Sequence, residues 1–161
     1  MASRPYHEQV DINNTLKLRE LTASLPSFTI LFFRGIEPTT SSRTRIAYAY
    51  DLHVFFEYLK ENHSDFMGMD IRSLPVESLD RVRAVDLEAY TEYLKYYTSR
   101  EDGTERMNHN RGIMRKISAL KTMYNYFFRK EMIKTNPANE LSLKMICEYE
   151  HKTASMNPAI S

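Results

Sequence analysis

Apolar residues recur along this chain at intervals of three and four, the spacing that places side chains on one face of an α-helix. The clearest stripe consists of Tyr48, Leu52, Phe55, Phe56 and Leu59. The preceding segment 39–42, Thr-Thr-Ser-Ser, offers hydroxyl groups that are suited to capping a helix N-terminus. The pattern therefore predicts a long helix over about residues 42–60.

A second long helix is predicted to begin near Asn108 or Asn110. Its core positions are Ile113, Ile117, Leu120, Tyr124 and Phe127. It must end before the Asn136-Pro137 pair, because the residue that precedes a proline disfavours the α region. A short helix from Pro137 to about Met145 is predicted to follow.

Three shorter helices are predicted from the remaining apolar stripes. The first carries Leu18, Leu21 and Leu25 and is ended by Pro26. The second presents Phe28, Leu31, Phe32 and Gly35 on one face. The third is capped by Asp86 and has an inner face of Leu87, Tyr90, Leu94 and Tyr97. Connections are expected at 62–79 and 99–103.

Phe33 lies well off the stripe of the second short helix, and two interpretations remain open for it. It is either an exposed aromatic residue on a partner-contact surface or a residue that packs under the N-terminal helix.

These elements together predict an all-α protein, a bundle of four or five helices. The chain has only four glycines, which is too few turn-formers for a many-stranded β fold. We divide it into an N-terminal extension with a helix (1–25), one helical domain (26–143) and a polar tail (144–161).

Composition excludes several classes of protein. The single cysteine, Cys147, rules out an internal disulfide and a multi-cysteine zinc site. No stretch is long and apolar enough for a membrane span, and the N-terminus lacks a signal-peptide core. We therefore expect a cytoplasmic protein without a membrane partner.

Charge is distributed unevenly, although the net charge of the chain is only +1. Residues 108–134 contain seven bases and one acid, whereas residues 49–94 contain ten acids and four bases. The small total therefore hides a basic element in the second long helix.

No pattern of catalytic residues is present. The chain has no HExxH motif, no glycine-rich phosphate loop, and no serine in a nucleophile elbow. The five histidines lack the spacing of metal ligands. We predict no catalytic residue, no metal site and no cofactor.

The outer face of the second long helix is the strongest functional signal. A helical wheel places Arg111, Arg115, Ser118, Thr122 and Arg129 opposite the core stripe, with Lys121 and Asn125 beside them. No carboxylate lies on this face. A solvated surface usually mixes charges of both signs, whereas arginines with hydroxyls suit contacts with phosphates and base edges.

Four segments resemble the N-terminal core-binding domain of the tyrosine recombinases, the phage-integrase family. Residues 42–59 are similar to the family pattern S-x-x-T-x-x-x-Y-x-x-D-L-x-x-F-x-x-x-L, with Thr44, Tyr48, Asp51, Leu52 and Phe55 in register. Residues 85–94 resemble its D-[IL]-x-x-Y-x-x-x-L helix, and residues 115–127 its R-R-L-S-A-L-R-x-F-Y-x-Y-L helix. Asn136-Pro137-Ala138 is similar to the tripeptide that closes the domain.

The resemblance implies a SAM-like orthogonal bundle that grips double-stranded DNA, with its two long helices facing consecutive major grooves. By matching position, Ser42, Arg43, Thr44, Arg45 and Tyr48 would contact DNA from the first long helix. Arg115, Lys116, Ser118 and Lys121 would do so from the second, to which the wheel adds Arg111 and Thr122. Lys116 lies nearer the core stripe than the others.

The resemblance also implies that DNA cleavage and joining belong to a separate C-terminal domain with an arginine, an HxxR motif and a nucleophilic tyrosine. This chain ends at Ser161 and contains no HxxR. We therefore expect a module that is no enzyme by itself, monomeric alone, and part of a DNA-bound tetramer of recombinase protomers when full length. The alternatives are a helical module whose basic face binds an acidic protein, and an enzyme with an unrecognised site.

Overall fold

The computed structural model describes residues 5–98, 105–106 and 110–141 of the chain. These contain five α-helices: α1 (Tyr6–Thr22), α2 (Thr29–Ile36), α3 (Ser42–Asn62), α4 (Ala84–Tyr93) and α5 (Asn110–Arg129). Short 3₁₀ turns lie at Glu37–Thr39, Ile71–Ser73, Val76–Arg81 and Pro137–Glu140. The prediction of an all-α fold is confirmed.

A short antiparallel ladder joins two dipeptides between α4 and α5. The strands β1 (Tyr97–Thr98) and β2 (Glu105–Arg106) pair with Tyr97 opposite Arg106. Because α4 ends at Tyr93, the prediction that Tyr97 continues its inner face is wrong. The predicted loop at 99–103 and the tail at 144–161 lie outside the described residues.

The two long helices form as their sequences predict. Ser41 caps α3, and its hydroxyl accepts a hydrogen bond from the backbone N–H of Thr44 at 3.1 Å. Leu52, Phe55, Phe56 and Leu59 of α3 are buried, as are all five predicted core positions of α5. Tyr48 is half-buried and packs against this core.

The short helix α2 is rotated relative to its predicted orientation. Leu31 is 39% exposed, whereas Phe33 is only 5% exposed. The buried residues of α2 are Thr29, Phe32, Phe33 and Ile36. These positions follow the same i, i+3, i+4, i+7 spacing as any amphipathic helix, so the sequence contained two competing stripes. The interpretation of Phe33 as an exposed contact residue is therefore wrong.

Helix α4 begins earlier in the chain than predicted, so Asp86 lies at its third position and not at its N-cap. The N-cap residue is Arg83, and the Asp86 carboxylate reaches back to accept its backbone N–H at 2.8 Å. An acidic residue at this third position satisfies an end group that the helix itself leaves unpaired.

The closing Asn136-Pro137-Ala138 segment returns to α5. Pro137 and Ala138 are buried, and Asn136 Nδ2 donates to Asn125 Oδ1 at 2.8 Å. Asp80 holds the preceding turn, since its carboxylate accepts the backbone N–H of both Lys134 and Thr135. The predicted helix from Pro137 is a 3₁₀ turn that ends at Glu140, and residues 142–145 lie outside the described residues.

The N-terminal helix α1 lies against α3. Its Leu18 and Leu21 pack on the core, and Arg72 donates from its guanidinium to the carbonyls of Thr22 and Leu25 at 2.7 and 3.1 Å. These contacts fasten the C-terminal end of α1 to the rest of the fold. The domain boundary at residue 25 stays a prediction.

Candidate nucleic-acid interface

The outer surface of α5 is an exposed stripe without a carboxylate. It consists of Arg111, Arg115, Ser118, Thr122, Asn125 and Arg129, all exposed apart from the half-buried Thr122. Helix α5 contains no acidic residue at all. We call these six residues the α5 stripe.

Several polar groups of the α5 stripe already have partners within the protein. The Thr122 hydroxyl donates to the carbonyl of Ser118 at 2.9 Å, and Arg129 Nε donates to the carbonyl of Asn125 at 3.4 Å. The contact from Asn136 fixes the amide of Asn125. Among the described residues, Arg111 and Ser118 extend from the stripe without such side-chain contacts.

The first turn of α3 offers a second set of predicted contact residues. Arg43 is exposed and Thr44 is half-buried. The N-terminus of a helix carries a partial positive charge, which favours anions such as phosphate. Its geometry is fixed by the Ser41 hydroxyl, which also donates to Thr44 Oγ1 at 3.0 Å.

Ser42 and Arg45 of the same turn are buried, and their polar groups point into the protein. The Ser42 hydroxyl donates to Asp11 Oδ1 at 3.0 Å and accepts from Asn14 Nδ2 at 3.1 Å. Arg45 donates to the carbonyls of Glu37 and Thr40, which lie between α2 and α3. In this arrangement both side chains stabilise junctions of the fold.

A buried carboxylate joins the two long helices. Asp51 of α3 has a side chain only 1% exposed, and its Oδ1 lies 3.3 Å from Arg115 Nη2 and 3.6 Å from Lys116 Nζ. The side chain of Arg115 is 60% exposed, whereas that of Lys116 is 8% exposed. Two consecutive residues of α5 therefore meet one acid, one from the surface and one from within.

Burial raises the pKa of Asp51, and the nearby charges of Lys116 and Arg115 offset only part of this effect. Asp51 Oδ2 is also buried and accepts no hydrogen bond from any described residue. The acid is therefore incompletely satisfied within the fold.

The predicted contact residues fall into three groups by position. Exposed are Arg43, Arg111, Arg115 and Ser118; half-buried are Thr44, Tyr48, Lys121 and Thr122; buried are Ser42, Arg45 and Lys116. The expected outward position of Arg115 and Ser118, and the inward one of Lys116, agree with the structure. Their contact with DNA stays a prediction.

Sequence reasoning did not assign Asp51 to the site. The signal that could have found it is a lone acid on the apolar side of α3, directly before Leu52. A buried acid in such a place usually has a cationic partner, but the wheel of one helix cannot identify a partner on another helix.

Two further findings concern metals and membranes. Within the described residues, no three acids, histidines or cysteines lie close enough together to bind a metal ion. None of the described helices has the length and hydropathy needed to cross a bilayer.

Three curated proteins resemble this chain. A protein named tyrosine recombinase XerC from Caldanaerobacter subterraneus subsp. tengcongensis is 36% identical over 105 residues, which cover 63% of this chain and 28% of that protein. Proteins of the same name from Leptospira interrogans serovars copenhageni and Lai are 27% identical over 122 residues, or 76% of this chain and 32% of those proteins.

The chain spans less than a third of the length of the curated relatives that it matches. No family profile matches it, and no solved structure matches it. The resemblance to the N-terminal core-binding domain of the tyrosine recombinases, first visible in four motifs, is confirmed by these three relatives together with the all-helical fold.

Proposed function

We propose that this chain is the DNA-binding module of a tyrosine recombinase and that it contacts the duplex through the α5 stripe and the first turn of α3. The observation that carries the proposal is the composition of the stripe, which presents arginines, hydroxyls and an amide over the length of α5. Arginine is the residue best suited to bidentate contacts with phosphates and guanine edges.

The shape of the basic surface supports binding to a groove. A single α-helix fits the major groove of B-DNA, and the α5 stripe follows one side of a helix of 20 residues. At about 1.5 Å per residue such a helix is roughly 30 Å long, more than enough to cross a major groove that is about 12 Å wide.

The contact surface that we propose is smaller than the set of matching positions. Of the contact residues named from the sequence, it retains Arg43, Thr44, Arg111, Arg115 and Ser118, with Lys121 and Thr122 at its edge. We leave out Ser42, Arg45 and Lys116, because each is buried and its polar group is directed at the protein. Tyr48 is left out because it packs against the core.

In a longer recombinase, we propose that strand cleavage and joining belong to a further domain and that several protomers assemble on the recombination site. This chain would then bind and position the DNA, and the further domain would catalyse the reaction. The competing proposal is a helical module that binds an acidic protein through the same basic surface.

Fluorescence anisotropy with a labelled duplex of random sequence tests the proposal. We expect salt-sensitive binding, because each phosphate contact releases condensed counterions. Arg115→Gln should weaken binding about tenfold and reduce the salt slope by about one, since a phosphate or guanine contact is worth about 1–3 kcal/mol.

Arg81→Gln is the matched control, because it removes the same charge from an exposed arginine outside the α5 stripe. It should change affinity less than about twofold. The proposal fails if the duplex does not bind at low salt or if the two variants weaken binding equally. Tighter binding of polyglutamate than of DNA would favour the acidic-protein alternative.

A further inference from the structure

Arg115 is held at one end by the other long helix. Its Nη2 lies 3.3 Å from Asp51 Oδ1, while 60% of the side chain remains exposed. A guanidinium has five N–H donors in a rigid plane, so one contact with Asp51 leaves the others available on the outer side. An arginine in this position is partly ordered before any ligand arrives.

Neutralising Asp51 does not require Arg115. Lys116, with a side chain 8% exposed, already brings a buried cation within 3.6 Å of the same oxygen. The hydrogen bonding of Asp51 is also incomplete, since its buried Oδ2 has no partner among the described residues. Incompletely satisfied buried groups are uncommon in folded proteins and often serve something other than stability.

We propose that Asp51 is a positioning residue, which holds the guanidinium of Arg115 in place for contact with DNA. The inference rests on the proposed function, because it concerns how the α5 stripe binds. Ordering a long side chain on binding costs free energy, and an arginine that is already restrained loses less. Since Asp51 lies on α3, the restraint also fixes the α5 stripe relative to the first turn of α3.

A positioning role and a purely electrostatic role for Asp51 predict opposite changes in DNA affinity when its carboxylate is removed. A negative charge near a DNA-binding surface weakens binding, so its removal alone should strengthen binding. If Asp51 positions Arg115, removal of the carboxylate should weaken binding. A variant that leaves the net charge unchanged separates the two effects.

The double variant Asp51→Asn/Lys116→Met provides this test. It removes one negative and one positive charge, keeps side-chain volumes similar, and leaves no lone buried charge. We expect it to bind duplex DNA about fivefold more weakly than the wild type, with a melting temperature no lower. In an Arg115→Gln background the same two changes should have no further effect on binding.

Relaxation of the Arg115 Nε–H group in NMR gives a readout that does not depend on DNA. We expect restricted motion in the wild type and averaged motion in the double variant. Equal binding by the double variant and the wild type would overturn the inference, as would a loss that persists in the Arg115→Gln background. Failure of the wild type to bind any duplex would instead overturn the proposed function.

Discussion

Asp86 and Asp51 both lie where helices meet the rest of the fold, but they differ in their hydrogen-bond partners and in the direction of their pKa shifts. Asp86, at the start of α4, accepts the backbone N–H of Arg83 at 2.8 Å and contacts His63 Nε2 at 3.1 Å. Asp51, at the contact of α3 with α5, is more deeply buried, and one of its oxygens has no partner among the described residues. Burial acts to raise the pKa of both groups.

For Asp86 the hydrogen bonds from Arg83 and His63 outweigh burial, and its pKa is lowered. For Asp51 the charges of Lys116 and Arg115 do not outweigh burial, and its pKa is raised. A lowered pKa means that the ionised group stabilises the fold, and a raised one means that it does not. The difference separates an acid that serves the fold from an acid that we assign to the binding surface.

The largest effect on stability is expected from removal of the buried cation. Lys116→Met should lower the free energy of unfolding by about 3 kcal/mol at neutral pH, because the buried Asp51 carboxyl loses its buried cation and keeps only an exposed arginine nearby. Chemical denaturation measures the loss. The loss of stability should become smaller as the pH falls. Without Lys116 the pKa of Asp51 lies still higher, so the carboxyl takes up a proton in mild acid and no longer needs a cation.

Adding Asp51→Asn to Lys116→Met is the control for this prediction. The double variant should be at least as stable as the wild type, because replacing a buried ion pair with neutral groups is often neutral or stabilising. A double variant that is less stable than Lys116→Met alone would show that Asp51 stabilises the fold, and the contrast with Asp86 would be lost.

A smaller effect is expected at the start of α4. Asp86→Asn should destabilise the protein by about 1 kcal/mol, the usual magnitude for the loss of a side-chain contact at a helix N-terminus. The neighbouring exposed Glu88→Gln is a matched control that should change stability by less than about 0.5 kcal/mol. Thermal unfolding followed by circular dichroism compares them, and equal losses would contradict the role given to Asp86.

The smallest effect is a difference in pH dependence. Asp86 titrates in the fold below its ordinary pKa of 3.8, so its contribution to stability is lost as the pH falls from 3.8 through the folded value. Asp51 titrates above 3.8, so the folded protein takes up that proton first and gains stability as the pH falls toward 3.8. The two carboxylates therefore contribute with opposite signs in acid.

Acid titrations of unfolding free energy in two variants separate these contributions. The deficit of Asp86→Asn relative to the wild type should narrow below pH 3.8, because the wild type loses the contribution there. Any advantage in stability of Asp51→Asn/Lys116→Met over the wild type should narrow already above pH 3.8. The wild type gains stability in that range because its folded form takes up the Asp51 proton first. If the unfolding free energies of all three proteins changed with pH in parallel, the proposed difference between Asp86 and Asp51 would be wrong.

The sequence by itself determined the helical class, the two long helices and the two sides of α5. Apolar spacing suffices for this, since all five predicted core positions of α5 are buried and Arg115 and Ser118 are exposed. It failed for α2, where residues 28–36 contain two stripes of equal spacing. Only packing against the rest of the core selects the one that contains Phe33.

The tertiary structure alone decided which polar residues in the first turn of α3 face solvent and which charged residues of the two long helices meet. Arg45 is turned inward because backbone carbonyls of Glu37 and Thr40 accept its hydrogen bonds. Arg115 lies on a stripe without acids, yet it meets Asp51, which is 64 positions away in the chain. A helical wheel describes the neighbours of a residue within its own helix. Charge contacts between helices depend on packing, which short-range periodicity does not encode.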